Sequence, residues 1–177
     1  MYRKILIFGA IAGLLVGGFL YGMTVANAGK PPLQYGMLIG YASILVALTF
    51  VFVGIKRHRD EDRGGAIRFW PALGMGLAMS LVASLLYVVA WEAALATTGM
   101  DFAAEYGRQV LEQKRAAGAS EAQLAALSAQ MAAFAKQYAN PMFRMPMTFV
   151  EIFPVGVLVS LVSAALLRKP GFMPAKR

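Results

Sequence analysis

The chain has 177 residues, 59% of them hydrophobic, and a mean hydropathy of +0.59, which points to one membrane bundle rather than a soluble domain. With no cysteine and one histidine, disulfides, thiol chemistry, thiolate metal sites and histidine clusters are excluded, and no cofactor is expected. A formal charge of +8 would suggest nucleic acid in a soluble protein, but here the basic residues fall at the ends of apolar runs, so no nucleic-acid partner is expected.

The first apolar run, about residues 5–25, follows Arg3 and Lys4. Ala26-Asn27-Ala28 has the small-x-small form of a signal-peptidase site. The run measures roughly 31 Å as a helix, which is long for a signal peptide and matched to a bilayer core, so we read a spanning helix. Gly29-Lys30-Pro31-Pro32 then reads as a short turn.

The second helix is expected over about residues 35–55 and the third over about 70–95. The stretch between them mixes charges of both signs around Gly64-Gly65 and reads as a turn that starts at Lys56. Lys56, Arg57 and Arg59 are candidates for contact with anionic lipid headgroups. His58 reads as a solvated loop residue. Pro71 suits the first turn of the third helix, and Trp70 and Trp91 sit near its ends, where indoles favour the headgroup boundary.

Residues 101–138 are alanine-rich and too polar to span. Ser120 with Gln123 has the form of a capping box, and Ala117-Gly118-Ala119 separates two helices. Leu124, Leu127, Met131, Phe134 and Tyr138 recur at helical spacing as one apolar stripe, while Phe102, Tyr106 and Val110 give the preceding helix a weaker face. A helical hairpin is expected. Pro141 and Pro146 close it, and a fourth spanning helix is expected over about 148–167 before Arg168, Lys169 and a tail ending Lys176-Arg177.

The four spanning helices and the hairpin form a single membrane domain over residues 1–177, all-α, with the hairpin between the third and fourth helices. Arg3, Lys4, the basic residues of the turn, Arg168, Lys169, Lys176 and Arg177 all fall on one side, and the whole +8 lies there. The positive-inside rule then puts both termini in the cytoplasm and the hairpin outside, in the bacterial inner membrane.

Inside lipid, helix association depends on close packing, which small residues permit. All four helices carry such residues at a spacing of four, and Gly9, Gly13 and Gly17 form the most extensive glycine row. That row suits either packing within the bundle or a homodimer face. Two carboxylates stand out because charge in a membrane is costly: Glu92 near the end of the third helix and Glu151 one turn into the fourth. They could face each other, with Tyr87 or Arg144 alongside and Pro154 bending the helix. No nucleophile–base pair, phosphate loop or metal spacing is visible.

Gly40-Tyr41-Ala42-Ser43, the run Phe50-Val51-Phe52-Val53-Gly54-Ile55-Lys56, Arg59-Asp60, Gly64-Gly65 and Ile67 together resemble a known bacterial membrane family, domain-of-unknown-function family 4199. Tyr87-Val88-Val89-Ala90-Trp91-Glu92 and the stretch from Pro146 to Pro154 fit it too. The resemblance implies a multi-pass inner-membrane protein with four helices and a polar insertion before the last. It carries no activity to transfer. On the residues alone, the leading expectation is a non-enzymatic accessory or scaffold protein in the lipid bilayer, with a homodimer or membrane-protein partner. The alternative is a small proton- or ion-coupled transporter, or a lipid-binding protein, that uses Glu92 and Glu151.

Overall fold

The computed structural model describes residues 1–30, 35–169 and 171–174. Among them the chain is helical, with no strand. In order come α1 (Tyr2–Asn27), α2 (Gly36–Arg57), α3 (Phe69–Thr98), α4 (Phe102–Ala116), α5 (Glu121–Tyr138) and α6 (Pro141–Leu167). Helices α1, α2, α3 and α6 are long and apolar enough to cross a membrane. The expected turn at Gly29-Lys30-Pro31-Pro32 falls partly, at its two prolines, outside the described residues, as does the Lys176-Arg177 tail.

Two boundaries differ from expectation. Helix α2 does not stop where the charges begin. It runs on through Arg57 into a π-helical turn, His58–Asp62, because Lys56 reaches Asp60 and His58 reaches Asp62 one turn ahead. Helix α6 starts at Pro141 rather than near Thr148: the Asn140 side chain accepts from the Met142 N–H at 3.0 Å and Pro141 fills the first position. Pro146 lies inside the helix, where its missing N–H leaves only the first-turn carbonyl of Met142 without its usual donor.

Local signals in the hairpin act as their residue types require. Gly99 ends α3 in the left-handed region at φ 62°, which a Cβ would disfavour. Asp101 caps α4 by accepting from Ala104 N–H at 3.0 Å. Ser120 and Gln123 form the reciprocal box, Ser120 N–H to Gln123 Oε1 at 2.9 Å and Gln123 N–H to Ser120 Oγ at 3.3 Å.

Helix α3 is the centre of the bundle and packs most extensively on α1 and α6. Its contact with α1 is parallel. A Cβ on Gly9 would sit 2.8 Å from Val82 Cβ, one on Gly13 2.8 Å from Leu86 Cβ, and one on Gly17 2.9 Å from Ala90 Cβ. The glycine row therefore faces α3 of the same chain, and the homodimer role considered for that face loses its surface. The contact with α6 is antiparallel and equally close: Gly76 meets Ser160, and Gly156 meets Ser80. Ser80 Oγ donates to Gly156 O at 3.2 Å, so the hydroxyls at this seam are bonded. Gly54 of α2 completes the packing against Phe8 and Met79.

Candidate functional site

The bundle has two chemically different ends. At one, Lys4 of α1 bonds Glu61 and Asp62, both at 2.8 Å. His58, 4% exposed, is buried rather than solvated, with Nδ1 2.7 Å from Asp62 Oδ2. Arg59 is fully buried. Its guanidinium donates to Asp60 at 2.6 Å and to the carbonyls of Phe172 and Met173 at 2.8 and 2.5 Å. It holds the turn that follows α6 and is closed to lipid headgroups, because a buried guanidinium requires acceptors and these carbonyls supply them. Lys56 is tied to Asp60 at 2.5 Å. Of the three expected headgroup contacts, Arg57 alone stays exposed.

At the other end the hairpin is fastened to the bundle. Glu92 of α3 and Arg144 of α6 form a two-pronged pair, Nε to Oε1 at 2.7 Å and Nη2 to Oε2 at 2.5 Å. Their side chains are only 26% and 16% exposed, and the second guanidinium branch reaches the Tyr138 carbonyl at 3.3 Å. Trp91 donates its indole N–H to the Tyr138 hydroxyl at 2.8 Å. Burial pushes the Tyr138 hydroxyl up from its ordinary pKa, which keeps it neutral there. Phe102 lies edge-on to Trp91, with centroids 5.1 Å apart, and packs on both Tyr106 and Tyr138. The expected stripe on α5 points inward, with Leu124 and Tyr138 buried. The α4 face that read as the weaker of the two supplies Phe102, the hub of the aromatic cluster.

The two carboxylates singled out from the sequence are engaged separately. Glu92 belongs to Arg144. Glu151 lies beside the Tyr87 hydroxyl and forms no ion pair among the described residues. Because α6 begins at Pro141, Glu151 sits nearly three turns into the helix, deeper than one turn. Pro154 follows it within the same continuous helix. Trp91 is buried in the clamp, while Trp70 is 76% exposed. No group of three or more His, Asp or Glu side chains among the described residues is placed to hold a metal ion.

The family model described as protein of unknown function (DUF4199) matches residues 7–169. The chain belongs to this family. The DUF4199 match covers the Glu92–Arg144 pair, the Trp91–Tyr138 bond, Glu151 and Arg59; it leaves out Lys4 and the Phe172–Met173 turn that Arg59 holds. No curated protein and no solved structure matches the chain.

Proposed function

We propose that this DUF4199 protein is a non-enzymatic accessory or scaffold protein of the bacterial inner membrane, with both termini in the cytoplasm and α4–α5 outside as a docking platform. The observation that carries the reading is the state of the hairpin. It is fastened to the bundle by an indole–phenol hydrogen bond, an aromatic cluster and the bond from Arg144, which Glu92 holds, to the Tyr138 carbonyl. Its two apolar faces close on each other, so that among its large hydrophobic residues Tyr106 alone is exposed. A helix that lies in the bilayer surface needs a broad open apolar face, and on this pair the large apolar side chains other than Tyr106 are at least partly covered. On this reading the hairpin stands in water, as a platform requires. Between its helices runs a groove of about 620 Å³, bordered by Gly107, Leu111, Leu124 and Met131, with Arg108 and Glu112 on its rim.

The orientation rests on charge. The basic end carries Arg3, Lys4, Lys56, Arg57, Arg63, Arg68 and Arg168, and that excess belongs in the cytoplasm. The docking role is tested with a photoreactive residue at Gln130 or Ala126, both exposed on α5. In native membranes these positions should crosslink to one defined protein, and a probe at the exposed Leu45 of α2 should not. Equal adducts at all three positions, or none on the hairpin, would refute the platform.

A further inference from the structure

The outer face of α6 carries an electrostatic imbalance. Glu151 is exposed there and has no cationic partner among the described residues. It stands seven residues beyond Arg144, about 10 Å deeper along the helix axis. Arg168 is 17 residues further on, so the carboxylate falls well inside the apolar segment. One position before it, Val150 is 63% exposed, and its carbonyl would ordinarily accept the N–H of residue 154. That residue is Pro154, which has no N–H. A carboxylate and a carbonyl that lacks its usual donor thus belong to consecutive residues of one turn, with the Tyr87 hydroxyl beside the carboxylate. Acceptors outnumber donors at this spot. Around them the face is apolar, with Leu158 62% and Val162 58% exposed.

From this geometry we propose that the Glu151 face of α6 is a docking surface for the membrane-spanning helix of a different protein, one that presents a lysine or arginine to Glu151. An ammonium or guanidinium brings the several donors that such a patch lacks, and in hydrocarbon a carboxylate pairs or stays costly. A second copy of this chain does not supply the cation. In its four long helices the basic residues are Arg3, Lys4, Lys56 and Arg57 at the charged end and Arg144, which Glu92 already holds. Opposite charge at matched depth also sets register between helices, so the site selects its partner as well as binding it.

The inference rests on the accessory reading above and names the partner chemistry for a second surface. Its test is a photoreactive residue at Leu158, two turns from Glu151 on the same face, in the full-length protein in native membranes. The crosslinked peptide should be a spanning helix of another protein that contains a lysine or arginine. Glu151→Gln keeps the shape and removes the charge, and should cut the adduct yield about ten-fold or more, the scale of a lost charge-assisted hydrogen bond. Tyr87→Phe should lower it less. Because Glu151 is exposed, the Gln variant should keep the parent's thermal transition and elution volume, which separates lost docking from misfolding. Adducts only to lipid or to a second copy, a helix without a basic residue, no adduct, or an unchanged yield in Glu151→Gln would each overturn the proposal. Adducts at Gln130 with none at Leu158 would reject this surface and leave the hairpin platform standing, and the converse would reject the platform alone.

Discussion

Two glycines five residues apart on α1 should respond to alanine in opposite directions. At Gly13 the added methyl would meet Leu86 Cβ and Cδ1 at 2.8 Å and Ala83 Cα at 3.0 Å. Ala83 Cα is backbone and cannot rotate away, so α1 and α3 must separate by several tenths of an ångström along their contact. Overpacking of that kind costs about 1–3 kcal/mol, and here the strained seam is the most extensive in the bundle. At Gly18 the same methyl meets nothing within 4 Å, and helix propensity favours alanine by up to about 1 kcal/mol. The two variants should therefore differ by about 2–4 kcal/mol when these terms are combined. Reversible unfolding of each variant in mixed micelles, titrated with a denaturing detergent, reads that difference. If Gly13→Ala and Gly18→Ala shift the midpoint equally, or Gly13→Ala leaves it in place, the glycine row is not the α1–α3 seam.

Glu92→Gln leaves the half-buried Arg144 guanidinium without its anion; the hairpin clamp should weaken by about 1–3 kcal/mol, seen as faster amide exchange across α5 with little change in α2. Trp91→Phe keeps an aromatic ring but removes the N–H that Tyr138 accepts and leaves a small cavity where the buried indole was, and should loosen the same segment by about 1–3 kcal/mol. Ser120→Ala removes the α5 cap at a cost of about 1 kcal/mol, confined to the first turn of that helix, where exchange at Gln123 N–H should rise. Arg59→Gln frees the Phe172 and Met173 carbonyls from their donor, so trypsin should cut after Arg168 at a markedly higher rate than in the parent protein, while the Lys169–Pro170 bond stays resistant in both.

The four long helices were legible because an apolar run long enough to cross a bilayer announces itself without knowledge of its neighbours. The Ser120–Gln123 cap was legible for the same reason, since both partners lie within one turn. Contacts made across the chain were not. Arg59 looked like a topology signal or a lipid contact because its acceptors are backbone carbonyls more than a hundred positions away, and carbonyls leave no mark in a sequence. His58 misled in the same way, its burial produced by a helix that continues through a charged segment. Arg144 was named beside the carboxylates, yet only the antiparallel register of α3 and α6 decides that Glu92, not Glu151, receives it. The glycine row was recognisable as a packing surface, but its partner, Val82-Leu86-Ala90, became visible only with the fold.

The hairpin platform depends on which end of the bundle faces the cytoplasm. The chain contains no cysteine, so single cysteines at Ala66, in the exposed segment before α3, and at Ala117, between α4 and α5, report without background. A membrane-impermeant maleimide applied to spheroplasts should label the Ala117→Cys protein at once and the Ala66→Cys protein only after the membrane is permeabilised. Labelling of Ala66→Cys in intact spheroplasts, with Ala117→Cys protected, would invert the bundle and contradict the account.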